Sequence, residues 1–357
     1  MSTSPPPHPP PRHNAPSAAF GYTSPTVKVP QRLRRWEAFS HFTNEQLEAL
    51  EGCVSLTRYP PGVTVLKEGD STFDAYFIEA GKVKIHRHTP YGEYPLATLG
   101  PGDLFGETSF IDRNTRSGDA VTEADTELLG FNPLALTSIL EAERRLALAL
   151  YWTFWKSLSR KLRATNTRLE QFFSKGAHPP GIEAPPAEGA FAGEFRVDLA
   201  SKRKLFEEQR LSSLEINFLT SLSQERKLGA NEVLFHEGDP GDEMYVVLEG
   251  RVMISKFIAG AGEEALAFLE RGDYFGEMAL IDREPRSADA RAHEAGAVVL
   301  AIPGEVLSGI LDIGKVSSLP LLKLLCSLVA KRLRELDDKL IGWYILAGGG
   351  GTEETTA

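Results

Sequence analysis

The chain has 357 residues, of which 42% are hydrophobic and 25% are charged, as in ordinary globular proteins. This length favours two domains over a single hydrophobic core. The formal net charge of −10 argues against a general nucleic-acid-binding surface, because such a surface needs Lys and Arg to neutralise phosphates. Cys53 and Cys326 are too few for a disulfide framework, so we expect buried free thiols and a cytoplasmic location.

The first 30 residues are rich in proline and carry no apolar core like that of a signal peptide. We therefore expect residues 1–30 to form a disordered tail. The longest apolar stretch of the chain, from Leu319 to Ala330, is interrupted by Lys323 and is too short to cross a bilayer. No membrane span is expected.

Residues 31–173 carry the signals of one complete domain. Thr43 and Gln46 have the spacing of a capping box before an apolar run, which predicts a helix start. Short alternating strands such as residues 75–78 follow, separated by glycine turns. Many short strands with such turns favour a jelly-roll-like barrel. A long helical stretch then closes the domain.

The second half of the chain repeats the first at an offset of about 170 residues. Residues 174–203, rich in Pro, Gly, Ala and Glu, predict a flexible linker, and residues 204–345 predict a second domain. Ser212 with Glu215 repeats the capping box, and residues 346–357 predict a disordered tail. The predicted fold class is α+β, with two tandem jelly-roll-like β-barrel domains, each flanked by helices and closed by a long C-terminal helix.

A glycine and an arginine recur at matched positions in the two copies. Gly106 and Arg116 in the first correspond to Gly276 and Arg286 in the second. A glycine that opens a short helix lets the backbone approach an anion, and the free N–H groups of the helix start favour negative charge. An arginine ten residues later can reach the same pocket, where its guanidinium matches the oxygens of a phosphodiester. The pattern predicts one anion site in each copy.

The run from Phe275 to Ile281, followed by Pro285, Arg286 and Ser287, resembles the phosphate-binding cassette of the cyclic nucleotide-binding domain family. That family includes the catabolite activator protein and the regulatory subunits of cyclic-AMP-dependent protein kinase. The ligand-binding residues that the resemblance implies are Gly276, Glu277, Met278, Ala279, Arg286 and Ser287 in the second copy, and Gly106, Glu107, Arg116 and Ser117 in the first.

The resemblance also implies the ligand and the role of the cassette glutamate. Glu277 would accept a hydrogen bond from the ribose 2′-hydroxyl, and the ligand would be cyclic AMP, with cyclic GMP as the alternative. The first copy departs from the family pattern at Thr115, at residues 108–110 and at Gly118, which leaves the affinity of its site open.

The closing helices, which we call the lid helices, each carry an apolar seam with alternating spacings of four and three residues. The two seams are Tyr151, Trp155, Leu158, Leu162, Thr165, Leu169 and Phe172, and Leu322, Cys326, Val329, Leu333, Leu336, Leu340 and Trp343. Each seam could pack on its own barrel, or the two could pair between chains or within one chain. Because the linker favours the intramolecular pair, we predict that Leu162 lies near Leu333 and Thr165 near Leu336.

The lid helices also carry polar residues that could contact the base. Thr165 and Asn166 are similar to the pair in the dimer helix of the catabolite activator that contacts adenine, and we include both among the ligand-binding residues. The second copy has Leu336 and Asp337 there. A carboxylate would suit the N–H donors of guanine, but Asp337 is more simply explained as a solvated surface charge.

A metalloenzyme is one rival interpretation, because His86, His88 and Glu93 approximate a cupin metal motif. Since Val83 and Ile85 alternate with them, we expect the histidines on the outer, wet face of the strand. The second copy has Ser255 and Phe257 in their places. We therefore expect no metal, no catalytic residues and no enzymatic activity.

Two further interpretations concern the output. A transcription regulator would need a helix-turn-helix after its lid helix, and we expect none, hence no nucleic-acid partner. A kinase regulatory subunit-like inhibitor would carry a basic inhibitor sequence before the first domain, but Arg34 and Arg35 are followed by Glu37. The sequence favours a cyclic nucleotide sensor that changes conformation and acts through a protein effector that it does not identify.

Overall fold

The computed structural model describes residues 22–23, 28–174, 198–258, 262–311 and 318–349. Most of the predicted linker and of the two predicted tails lies outside these ranges. Regular structure extends past two of the predicted boundaries, because Tyr22–Thr23 form a strand and a helix starts at Val29 before the first domain, and another helix starts at Leu199 inside the predicted linker.

The first domain combines nine strands with five helices among its described residues. Its strands are β1 (Tyr22–Thr23), β2 (Val54–Tyr59), β3 (Thr64–Leu66), β4 (Ala75–Ala80), β5 (Val83–Thr89), β6 (Gly92–Leu99), β7 (Leu104–Phe105), β8 (Asp119–Thr122) and β9 (Thr126–Phe131). Its helices are α1 (Val29–Leu33), α2 (Asn44–Ala49), α3 (Glu107–Asp112), α4 (Pro133–Ala142) and the lid α5 (Arg144–Ser174). Short 3-10 turns cover Glu37–Phe39 and Glu51–Cys53.

The strands of the first domain form two antiparallel sheets that face each other. Their orders are β1-β2-β9-β4-β7 and β3-β8-β5-β6. Apolar side chains from both sheets, among them Leu66, Ile78, Phe105 and Leu128, fill the interior between them. The predicted capping box is confirmed, since the Thr43 hydroxyl accepts from the N–H of the third residue of α2.

The second domain repeats this plan. Its elements in chain order are α6 (Leu199–Glu208), α7 (Ser213–Leu222), β10 (Gln224–Leu228), β11 (Val233–Phe235), β12 (Glu243–Ile258), β13 (Gly262–Leu269), β14 (Tyr274–Phe275), α8 (Glu277–Asp282), β15 (Asp289–Pro303), α9 (Gly304–Ile310) and the lid α10 (Leu319–Leu346). Here the long bulged strands β12 and β15 run through both layers, so one antiparallel sheet replaces two. The Ser212–Glu215 capping box is also confirmed.

The two lid helices lie parallel and pack against each other, which confirms the predicted pairing within one chain. The contacts along the pair are, in chain order, Tyr151 with Cys326, Thr165 with Asp337, and Phe173 with Trp343. Their seams are buried in one continuous apolar core that includes Phe77 of the first barrel and Val246 of the second. Among the helices described, none is both long and apolar enough to cross a membrane.

Candidate functional site

The cassette of the second domain begins at a glycine with a left-handed backbone. Gly276 has φ 77° and directly precedes α8, and a Cβ on it would lie 2.7 Å from Nη1 of Arg286. A larger residue would therefore be strained and would crowd the guanidinium. No described side chain caps the start of α8, so its first backbone N–H groups face the adjoining cleft.

Arg286 is 5% exposed and connects the start of the cassette to strand β12. Its Nη1 donates to the carbonyl of Gly276 at 2.7 Å and its Nη2 to the carbonyl of Glu243 at 2.8 Å. Its Cζ lies 4.4 Å from the ring centroid of Phe235, and its Nε has no partner among the described residues. Burial lowers the pKa of Arg286. The guanidinium is thus desolvated against carbonyls and a ring, an arrangement suited to an incoming anion.

The first domain has the same geometry around Gly106 and Arg116. Gly106 has φ 80° and precedes α3, and a Cβ on it would meet the carbonyl of Asp74 at 2.6 Å. Arg116 is 3% exposed and donates to the carbonyls of Gly106 and Asp74 at 2.9 and 2.7 Å, and through Nε to the Thr72 hydroxyl at 3.0 Å. Burial lowers the pKa of Arg116 as well. Thr72 therefore satisfies in this cassette the nitrogen that is left unpaired in the other.

Both cassette glutamates are tied to the lid helix of their own domain. Glu107 accepts from the Ser157 hydroxyl at 3.0 Å and from the Lys161 ammonium at 2.5 Å, and Glu277 accepts from Arg332 at 3.3 Å. In each case only Oε1 is used, and Oε2 is buried with no hydrogen-bond partner among the described residues. A buried carboxylate oxygen without a donor is costly, which points to a ligand hydroxyl or N–H.

The second cassette opens into a cleft of about 550 Å³, part of which is open to solvent. The predicted residues Gly276, Glu277, Met278, Ala279, Arg286 and Ser287 all line it. Its far wall comes from both lid helices, with Leu336 from α10 and Leu162 and Asn166 from α5.

The first cassette opens into a cleft of about 650 Å³. The predicted residues Gly106, Arg116, Ser117 and Thr165 line it, whereas Glu107 is fully buried beside it. Arg168 of α5 and Leu333 and Asp337 of α10 complete the wall.

The lid residues correct two sequence-based expectations. Thr165 and Asn166 belong to different clefts, because neighbouring residues on a helix point about 100° apart and each lid borders both sites. Asp337 is not a solvated surface charge, since it is 8% exposed and lies in the first cleft.

Two arginines that the sequence reading missed join each lid to the cassette of the other domain. Arg163 of α5 pairs with Asp282 of the second cassette at 2.9 and 3.1 Å, and also donates to the carbonyl of Pro285. Arg334 of α10 pairs with Asp112 of the first cassette at 2.6 and 3.2 Å, and also donates to the Ser109 hydroxyl and the carbonyl of Thr115. The sequence did contain one signal for them, because Arg163 and Arg334 occupy matching positions in the two copies.

A comparison with known protein families matches residues 56–143 and 225–313 to the cyclic nucleotide-binding domain. Both segments belong to the cyclic nucleotide-binding domain family. The matched ranges contain both cassettes and most of both barrels, and they end before the lid helices α5 and α10 begin. The chain therefore carries two cyclic nucleotide-binding domains whose pockets are completed by helices outside the matched ranges.

Curated relatives include a cAMP-dependent protein kinase regulatory subunit of Emericella nidulans, 26% identical over 264 residues that cover 71% of this chain and 52% of the relative. The Cyclic AMP receptor protein of Thermus thermophilus is 39% identical over 113 residues, covering 31% of this chain and 50% of the relative. The chain thus spans about half the length of these curated relatives. Among solved structures, the regulatory domain of Toxoplasma gondii PKA with cAMP aligns with 82% of this chain and 93% of its own, at 19% identity and a TM-score of 0.30.

Within the first cyclic nucleotide-binding domain, the expectation for the histidines is wrong for one of them. His86 is 3% exposed, whereas the His88 side chain is 62% exposed. Both histidines lie on the same face of β5, where the side chains of Glu93 and Asp119, at 3.4 and 3.8 Å from Nε2 of His86, shield His86 from solvent.

Proposed function

We propose that the chain is a cyclic nucleotide sensor that binds one nucleotide in each domain, takes cyclic AMP as its principal ligand, and signals through a protein effector. The observation that carries the proposal is the pair of buried guanidiniums, Arg116 and Arg286, each held by backbone carbonyls at the start of a cassette helix. A cyclic phosphodiester would neutralise each of them and would accept hydrogen bonds from the N–H groups of the helix start.

The unused carboxylate oxygens support the placement of the ribose. Oε2 of Glu277 and Oε2 of Glu107 are buried acceptors without donors among the described residues. A ribose 2′-hydroxyl beside the phosphate would supply the missing donor in each site. Oε1 of each glutamate also accepts a hydrogen bond from a lid helix. Binding of a nucleotide in the cleft would then affect the positions of α5 and α10.

The two base-binding ends differ chemically, which supports different base preferences. In the second cleft the polar lid residues are Arg332 and Asn166, and the amide of Asn166 can both donate to and accept from the amino edge of adenine. In the first cleft the lid residues are Thr165, Asp337 and Arg168. A buried carboxylate suits the N–H donors of guanine, so cyclic GMP is the alternative ligand for the first domain.

The proposed action is binding without turnover in the cytoplasm, where the free, buried thiols of Cys53 and Cys326 would stay reduced. A kinase regulatory subunit-like inhibitor is the second candidate, because the match to the Emericella nidulans regulatory subunit covers 71% of this chain. The effector would then be a kinase catalytic subunit. Arg35, one of the basic residues before the first barrel, pairs with the buried Glu79 at 2.6 Å.

The decisive experiment is calorimetric titration of the full chain with cyclic AMP, cyclic GMP and cyclic di-GMP, followed by chromatography of the recovered nucleotide. We expect binding of cyclic AMP, a distinct affinity for cyclic GMP, no binding of cyclic di-GMP, and nucleotide recovered intact. If none of the three nucleotides binds, or if the recovered nucleotide has been hydrolysed, the proposed function is wrong.

A further inference from the structure

A group of metal-ligating side chains lies on the first barrel, apart from the residues that line the nucleotide cleft. Nε2 of His88 is 3.1 Å from Oδ2 of Asp119. Nε2 of His86 is 3.8 Å from the same oxygen and 3.4 Å from Oε1 of Glu93. One ligand atom each from His86, His88 and Asp119 lie within 4.8 Å of one another, which makes this the one such group of three found among the described residues.

The sheet register brings these residues together from three strands. His86 on β5 is opposite Asp119 on β8, and His88 is opposite Glu93 on β6. Two histidines separated by one residue lie on the same face of β5, so both can approach the same carboxylate on β8. The arrangement is therefore a consequence of the barrel's backbone and does not depend on a mobile loop.

The separations match those of ligand atoms around one small cation. A tetrahedral zinc ion with bonds of about 2.0–2.1 Å keeps its nitrogen and oxygen ligands about 3.3 Å apart. Two separations within the group, 3.1 and 3.8 Å, lie near that value, and the ligand atoms of the two histidines are within 4.8 Å of each other. Two imidazoles with one or two carboxylates are also a donor set that zinc and other divalent transition metals accept.

Burial and outer contacts hold the group in place. His86 is 3% exposed and its Nδ1 has no hydrogen-bond partner among the described residues, so the contacts of Nε2 are what compensates its burial. Asp119 is 7% exposed and its Oδ1 accepts from the N–H of Glu68 at 2.6 Å, which fixes the carboxylate with Oδ2 toward the histidines. Lys84 reaches the other oxygen of Glu93 at 3.2 Å, leaving Oε1 toward His86.

We propose that His86, His88 and Asp119 form a binding site for a divalent transition metal, with Zn²⁺ as the ion to test. This revises the expectation from the sequence that the chain holds no metal. The ion would cross-link strands β5 and β8 of the first barrel. The second domain offers only a carboxylate here, because Ser255 and Phe257 replace the histidines and Ser255 is opposite Asp289.

The test is titration of the chelator-treated full chain with Zn²⁺ by calorimetry, repeated with Co²⁺ while visible absorption is recorded. His88→Ala removes an exposed ligand, and His236→Ala is the matched control, because His236 is an exposed histidine 3.5 Å from Asp289 at the corresponding edge of the second domain. Each variant removes one histidine and keeps all the others. Zn²⁺ binding at other weak sites therefore contributes equally to the two titrations. Circular dichroism establishes that each variant is folded.

We expect a Zn²⁺ site in the parent that weakens by at least about tenfold in His88→Ala and is unchanged in His236→Ala. Co²⁺ should give the intense visible band of a tetrahedral site in the parent and in the control only. Asp119→Asn, which keeps the Oδ1 acceptor for the N–H of Glu68, provides a second variant if His88→Ala does not fold, and it should also weaken Zn²⁺ binding. Equal Zn²⁺ affinity in the parent and in the folded ligand variant, or no Zn²⁺ binding by the parent, would overturn the proposal.

Discussion

Individual side chains distinguish the two clefts more than the fold does. Arg116 and Arg286 occupy equivalent positions, yet Thr72 satisfies Nε only in the first. The lid of the second domain places Asp337 in the cleft of the first, where it accepts from the Thr165 hydroxyl at 3.5 Å. Thr165 in turn accepts from Arg168 at 2.6 Å, and Nη1 of Arg168 has no partner among the described residues. These groups give the first cleft a buried polar corner of its own.

The ionisation of Asp337 tests whether this polar part of the first cleft is buried. Burial raises its pKa from 3.8 to about 6, against the opposing effects of Arg168 and Arg87. The folded chain therefore holds a proton at Asp337 that the unfolded chain has released, so this residue makes stability fall as pH rises from about 4 to about 6. The full effect is roughly 3 kcal/mol and is complete above pH 6.

Asp337→Asn should remove this contribution without changing the shape of the side chain. Urea unfolding of parent and variant at several pH values from 4 to 7 measures it. We expect the variant's free energy of unfolding to rise relative to the parent's as pH increases through this window. Glu335→Gln, at an exposed carboxylate on the same helix, serves as the control. A difference that stays constant with pH would show that Asp337 is not buried as described.

At the level of elements, the capping boxes, the cassette helices and the heptad seams were predictable because each depends on short, local spacing. The partition of Thr165 and Asn166 between clefts was not, since it depends on how two distant helices are rotated against each other. The burial of His86 was missed for a similar reason, because it comes from Glu93 and Asp119 on neighbouring strands and leaves no clear mark in the sequence of β5. The cassette residues were thus predictable, and those supplied by the opposite domain were not.

The reciprocal arginine contacts predict energetic coupling between the two sites. A nucleotide in one domain would order both lids, so a second nucleotide would meet lids that are already ordered and would bind more tightly. Coupling of this kind typically amounts to about 1–3 kcal/mol. Arg334→Ala should reduce it, because it releases the first cassette from the second lid.

Two-site calorimetric analysis of parent and Arg334→Ala measures this coupling. Lys331→Ala is the matched control, since Lys331 is an exposed cation on the same helix that pairs only within the helix, with Glu335. We expect the ratio of the two affinities to change in Arg334→Ala and to stay at the parent value in Lys331→Ala. An unchanged ratio in both variants would remove Arg334 from the coupling.

On the scale of the whole molecule, the chain has an approximate twofold arrangement, with parallel lids at its centre and a cassette on each side. Each site is therefore a composite of both domains, although the sequence assigns each cassette to one. The two copies share one architecture, but the residues that border their clefts differ. Asn166 and Leu336 border the second cleft, whereas Thr165 and Asp337 border the first. Two non-equivalent sites in one chain can respond to different nucleotide concentrations.

The most direct test of the central claim, that each domain binds a cyclic nucleotide through its buried arginine, is the calorimetric stoichiometry of four proteins. These are the parent, Arg116→Ala, Arg286→Ala and the double variant, each titrated with cyclic AMP and with cyclic GMP. Losing a guanidinium from a buried phosphate contact costs about 2–5 kcal/mol, or well over tenfold in affinity. The account predicts two sites in the parent, one in each single variant and none in the double variant. Nucleotide binding by the double variant with the parent's affinity would contradict it.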